Sequence, residues 1–168
     1  MFLARPNEDD ERYMRRALEL ARLAEVVPGA SPIACVIVHN GVILSEGHND
    51  VDIRHDAIAH AEVVAIQRAG STLGTADLCG ATLYTTLQPC GMCSMASIWS
   101  KIHRIVYGAR REDVHHMYFE DRHLDTLDFI ADAFREDLIV VGGVLREDCA
   151  QLYYGPADNP APSEQGNV

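Results

Sequence analysis

No stretch of the 168-residue sequence approaches the roughly 20 consecutive apolar residues that cross a bilayer, which excludes a membrane-spanning helix. The opening residues, MFLARPNEDDERY, turn charged before the apolar core of a signal peptide can form, and this predicts a soluble, cytoplasmic chain. Basic side chains are scarce: 14 Lys and Arg stand against 25 Asp and Glu, a formal net charge of −11. Nucleic-acid binders gather cationic groups on one face because counterion release drives their affinity, and no local basic cluster offsets the global sign here. Neither a membrane nor a nucleic acid is therefore an expected partner. Twelve glycines and seven prolines are too few for a fibrous or low-complexity protein, and no internal repeat is present. The five cysteines (Cys35, Cys79, Cys90, Cys93 and Cys149) are odd in number and argue against a disulfide framework, turning attention to metal or thiol chemistry. What is present, 48% hydrophobic residues in a chain of this length, suffices for one domain with a full core.

The pattern along the chain alternates. Residues 8–26 carry apolar side chains at three- and four-residue steps behind a capping Asn7, which predicts a helix ended by Pro28-Gly29. ACVIV (34–38), Asn40-Gly41 and VILS (42–45) form the strongest short signal for an antiparallel hairpin. After a polar loop at 49–57, a helix is expected over 59–69, stopping at Gly70. Strands then follow at 81–87, 104–108 and 138–144, separated by helices at 90–101 and 126–135, with a final helix at 146–154. Strand, helix, strand repetition implies right-handed crossovers between neighbouring parallel strands. The expected fold class is α/β, a three-layer α/β/α sandwich around a mixed five-stranded sheet, the N-terminal hairpin antiparallel and the remaining strands parallel. One domain is expected over 1–154, with a long polar connection at 110–125 and a mobile tail at 155–168.

Chemistry concentrates in His60-Ala61-Glu62 and in Pro89-Cys90-Gly91-Met92-Cys93. Cys90 and Cys93 lie three apart at a helix entry, so both sulfurs fall on one face and grip one ion. The helix end also favours thiolates. With His60 supplying nitrogen, the set N, S, S points to Zn2+ with one position open, where water becomes more acidic than in bulk. Glu62 is the candidate proton carrier. A thioredoxin-like redox pair is the chemical alternative for Cys90 and Cys93, but it leaves His60 and Glu62 without a role. A purely structural zinc needs a fourth protein ligand, and Cys35, Cys79 and Cys149 read instead as small buried hydrophobes in a strand, a loop and a helix.

These motifs resemble those of the cytidine/deoxycytidylate deaminase superfamily, in the branch that holds guanine deaminases, fungal-type cytosine deaminases and bacterial tRNA adenosine deaminases. The resemblance covers roughly residues 10–154 and is carried by VIVHNGVILSEGHN (36–49), RHDAIAHAEVVAI (54–66), ATLYTTLQPCGMC (81–93) and RIVYGAR (104–110). It implies a cytidine deaminase-like fold and one zinc per chain held by His60, Cys90 and Cys93. It further implies Glu62 as the catalytic proton shuttle, with Asn49 and the backbone of Ala61 contacting substrate. Two positions depart from the pattern. Pro32-Ile33-Ala34-Cys35 replaces a Pro-Phe-Gly-Ala or Pro-Val-Gly-Ala segment, so that Cys35 narrows the expected pocket floor, and Gln88 stands where relatives carry Glu.

The zinc motif does not select a base. Residues 110–137 hold four Arg against nine Asp and Glu, which disfavours RNA. Phe119-Glu120-Asp121 resembles a segment of guanine deaminase-like proteins, which implies that Glu120 and Asp121 accept hydrogen bonds from a purine; read from the residues alone they are equally two solvated loop acids. The expected activity is hydrolytic deamination of a free nucleobase or nucleoside, a guanine-like purine ahead of cytosine. The alternatives are a tRNA adenosine deaminase and a non-catalytic or redox zinc module. His115, His116 and His123 read as surface histidines, and Trp99 and Tyr107 as core or interface aromatics. Ile98, Trp99 and Ile102 are expected to offer an apolar face to a second copy in a homodimer.

Overall fold

The structure, a computed structural model, describes residues 2–119, 126–131 and 136–161. Helix α1 (Glu8–Ala24) starts at Asn7, whose side chain accepts from the Asp10 amide while the Asp10 carboxylate accepts from the Asn7 amide, a reciprocal cap. Strands β2 (Ser31–His39) and β3 (Val42–Asn49) pair antiparallel around Asn40 and Gly41, both at positive φ (52° and 75°), as the Asn-Gly signal requires. The sheet continues through β4 (Thr82–Leu87), antiparallel to β2, then β5 (Arg104–Ala109) and β6 (Ile139–Gly142), all parallel to one another. These five strands are those expected. A sixth, β1 (Phe2–Leu3), lies parallel to β6 at the edge and gives the order β1-β6-β5-β4-β2-β3. Two residues are too few to show an alternation, so the sequence carried no sign of it.

Two cores flank the sheet. On one face Tyr13, Met14, Ala17 and Leu18 of α1 pack on Val36, Tyr84, Val106 and Val141, joined by Cys149 of α6 (Arg146–Ala150) and by Tyr153. On the other, Ala61, Ala65 and Ala69 of α3 (Ala61–Leu73) pack on Cys35, Ile37 and Leu83, and Ile98 of α4 (Gly91–Trp99) and Ile130 of α5 (Thr126–Ala131) complete the layer. The three-layer sandwich is thus present. No helix among the described residues is long and apolar enough to cross a membrane.

Several boundaries differ from the sequence pattern. The polar loop after β3 contains one helical turn, α2 (Val51–Arg54). Helix α3 passes through Gly70 and ends at Gly74, which takes the left-handed conformation (φ 68°) that closes a helix without Cβ strain. Helix α6 stops at Ala150 rather than 154. The expected tail opens with an ordered turn, the Gly155 amide donating to Asp158 at 2.6 Å, and Pro160 is buried; residues 162–168 lie outside the described part.

Close approach of β3 to α3 rests on Gly47. A Cβ there would lie 2.7 Å from the Ala61 carbonyl oxygen and 2.9 Å from the Ala65 amide nitrogen, both backbone atoms that cannot swing aside. Gly47→Ala is therefore expected to cost about 1–3 kcal/mol, the usual penalty of overpacking, measured as a lower midpoint in urea unfolding.

Candidate metal and catalytic site

Both segments singled out by the sequence arrive at the same place because each ends in a helix start. His60 is the N-cap residue of α3 and Cys90 that of α4, both in extended conformation, and Cys93 sits one turn into α4. The β4 strand delivers Pro89-Cys90 from its C-terminal end, and the α2 turn delivers His60 beside it. The Cys90 and Cys93 sulfurs each lie 3.7 Å from His60 Nδ1, and all three ligand atoms fall within 4.8 Å of one another.

Those separations test the donor set. Zinc bonds of ~2.3 Å to sulfur and ~2.0 Å to imidazole nitrogen, set at a tetrahedral angle, imply a nitrogen-to-sulfur edge of about 3.5 Å. The observed 3.7 Å matches a shared coordination sphere, and it identifies Nδ1 as the ligating ring atom. His60, Cys90 and Cys93 form the metal-ligand cluster found among the described residues. Hydrogen bonding with the Cys93 thiol, aided by His60, holds the Cys90 thiol down to about 5, while the same bond and burial push Cys93 up. Metal binding requires both sulfurs as thiolates, so a dication seated against the pair stabilises it. Removing metal with a chelator is accordingly expected to lower Tm, and excess zinc to restore it, by about 2.7 kcal/mol at a hundredfold excess over Kd; a thermal-shift titration reads this.

Glu62 lies one residue into α3 beyond Ala61 and is only 3% exposed. Its Oε1 accepts a hydrogen bond from Thr85 Oγ1 at 3.1 Å, and burial, with the charge of Cys90 second, pushes its carboxyl above the usual carboxylate range. Asn49 closes β3 at 2% exposure, its Oδ1 accepting from the Val51 amide at 3.1 Å; the Nδ2 donors are not spent on that turn. Asp50 next to it is buried between His48 Nδ1 at 2.6 Å and Arg54 Nη2 at 2.8 Å, which ties the end of β3 to α2. Ala61 is wholly buried at the first position of α3, where a backbone N–H has no partner within the helix.

Cys35 is wholly buried on β2, packed beneath α3 in the same cluster as Ala61 and Ala65. Gln88 acts as a latch, its amide donating to the Ala109 carbonyl and its Oε1 accepting from the Arg111 amide at 3.2 Å. Glu120, Asp121 and His123 lie outside the described residues.

Four side-chain expectations are corrected. Cys79 is exposed, because it sits in the turn before β4 rather than in a packing face. His115 is buried, its Nδ1 accepting from the Met117 amide within a 3-10 turn, whereas His116 is exposed as expected. Ile98 and Ile102 face the core, so the apolar face they were to share with Trp99 does not exist in that form. Trp99 alone points outward, 79% exposed, while Tyr107 is buried. Sequence reading missed Thr85, for which β4 offers a signal: in Thr85-Thr86 strand alternation sends one hydroxyl to each face, and the Leu83 face is the one that meets α3.

Residues 7–109 match the model of the cytidine and deoxycytidylate deaminase zinc-binding region. The chain belongs to that family. Among its relatives is a tRNA-specific adenosine deaminase of Bacillus subtilis (strain 168), 38% identical over 149 residues that cover 85% of each chain. A guanine deaminase of the same organism is 37% identical over 111 residues, 66% of this chain and 71% of that one. In three dimensions this family member is similar to guanine deaminase from Nitrosomonas europaea, with a TM-score of 0.74 and 29% identity over 84% of this chain and 81% of that structure. Zinc is the metal that the family match and the three-ligand cluster jointly support.

Proposed function

We propose that the protein hydrolyses the exocyclic amine of a free nucleobase or nucleoside, a guanine-like purine ahead of cytosine, releasing ammonia. The observation that carries the reading is a buried carboxylate, Glu62, hydrogen-bonded to a hydroxyl beside a three-ligand metal cluster. When bound, zinc supplies Lewis acidity that makes water nucleophilic near neutral pH. Glu62 takes one proton from that water and delivers it to the ring nitrogen, then takes the second from the hydroxyl now on the carbon and delivers it to the departing amine. The carbon thereby exchanges C–NH2 for C=O: the oxygen of water stays in the product, one of its protons on the ring nitrogen, and the other leaves in ammonia. Burial, which raises the Glu62 carboxyl, suits a group that must hold and release a proton within one turnover. Asn49 Nδ2 donates to an acceptor on the ring, and the Ala61 amide adds a second donor.

A free base is favoured over RNA because the net charge is −11 and several of the arginines are already engaged. Arg54 pairs with Asp50, Arg146 with Asp113 and Glu112, and Arg110 with Glu112, while Arg68 donates to the Glu46 carbonyl. Phosphate contacts would have to break these pairs. The second reading, deamination of adenosine in tRNA, is favoured by the similarity to tRNA-specific adenosine deaminases over 85% of the chain. Ammonia release from guanine, guanosine, cytosine, cytidine, adenine, adenosine and a tRNA anticodon stem decides between them: turnover of guanine supports the first, and turnover of the RNA alone overturns it.

A second copy of the chain is the proposed partner at the outer side of α4. There Met92, Met95 and Ala96 are partly exposed and follow helical spacing toward the exposed Trp99, with no charge in the helix. Trp99→Glu is expected to shift a dimer to monomer in sedimentation velocity.

A further inference from the structure

We infer that Thr85 is a positioning residue for the reaction, its hydroxyl setting the orientation in which the Glu62 carboxylate meets water and substrate. The inference rests on the role proposed for Glu62. The terminal torsion of a glutamate has broad, nearly twofold preferences, so rotamer energetics alone do not fix the plane of the carboxylate. Something external must do so, and the hydrogen bond from Thr85 Oγ1 to Glu62 Oε1 at 3.1 Å, between two buried groups, is placed to do it.

The surroundings make that contact selective. Thr85 lies in the middle of the sheet, in register with Cys35 on β2 and with Tyr107 on β5. The cluster on this face of the sheet includes Cys35, Ile37, Leu83, Ile105, Tyr107 and the alanines of α3, so Thr85 introduces a hydroxyl into a largely apolar wall. A central strand, held on both sides by ladder hydrogen bonds, is a stiffer mount than a loop. Its stiffness is passed to a side chain on the first turn of α3, which is where the sequence places Glu62. The neighbouring Thr86 hydroxyl has a different use: it accepts from the Ala34 amide at 3.1 Å and from the Tyr153 hydroxyl at 2.7 Å, locking β2 and the C-terminal segment on the opposite face. The paired threonines thus divide between fold and chemistry.

Thr85→Val keeps the shape and β-branching and removes the donor; Thr85→Ser keeps the donor. With the substrate turned over in the panel above, Thr85→Val is expected to lower kcat about tenfold to a hundredfold, since small misplacements of a reacting group carry costs of that size, with KM within about twofold. Thr85→Ser is expected to recover most of the loss, and zinc content is expected to stay at the level of the parent in both. A second readout is independent of turnover: in protein labelled at glutamate carboxyl carbons, the Glu62 resonance, assigned by its loss in Glu62→Gln, is expected to move in Thr85→Val and to return in Thr85→Ser. A Thr85→Val protein with the parent's kcat and an unmoved resonance overturns the inference. So does equal loss of kcat in the valine and serine variants. If Glu62→Ala itself retains full turnover, the proton-carrier reading fails instead, so the two failures are distinguishable.

Discussion

Replacing Glu62 with alanine is expected to lower deaminase turnover by about three orders of magnitude while the protein keeps its zinc. The two halves of the expectation have separate causes. Glu62 is not among the clustered ligands, so losing its carboxylate leaves His60, Cys90 and Cys93 in place. It is the buried carboxylate held beside them, so no second acid in that contact set inherits its proton. Metal analysis and ammonia release on the same preparation check both halves, and an active alanine variant contradicts the mechanism. Glu62→Gln sharpens the comparison: it retains an acceptor for Thr85 and the side-chain volume, and lacks only the capacity to take up and release the proton.

The second large effect lies at the other end of the sheet. Asp10→Ala is expected to destabilise the fold by about 3–5 kcal/mol, the cost of leaving one partner of a buried ion pair alone. Arg104, at the start of β5, donates Nη2 to Asp10 Oδ2 at 2.7 Å and Nη1 to Oδ1, while the Tyr84 hydroxyl donates to Oδ1 at 3.2 Å. The same carboxylate accepts from the Asn7 amide and so completes the cap of α1. Removing it strands a guanidinium under α1 and loosens the helix entry at once. A fall in Tm on the order of 10 °C is expected. Because the β4 strand carries Cys90 at its C-terminal end, opposite to Arg104, kcat of the folded variant is expected to stay near that of the parent. Asp10→Leu combined with Arg104→Met is expected to recover much of the lost stability, since apolar groups of similar volume can replace a buried pair.

How legible each feature was follows from how local its cause is. The hairpin was readable because Asn40 and Gly41 accept positive φ where other residues resist it. The metal ligands were readable because ligand chemistry fixes both residue type and spacing. The end of α3 was misplaced because an interior glycine costs only about 1 kcal/mol, which packing of Ala61, Ala65 and Ala69 outweighs. Ile98, Ile102, His115 and Cys79 were misjudged because exposure is decided by tertiary neighbours, not by residue type. The Asp10–Arg104 pair and the Thr85–Glu62 contact join residues far apart in the chain, and no periodicity announces such partners.

Helices α3 and α4 both begin at a residue whose side chain makes no capping hydrogen bond, since His60 and Cys90 are committed elsewhere. A protease offered the polypeptide before and after it acquires its ion should therefore tell the two apart at these two points, and at both together.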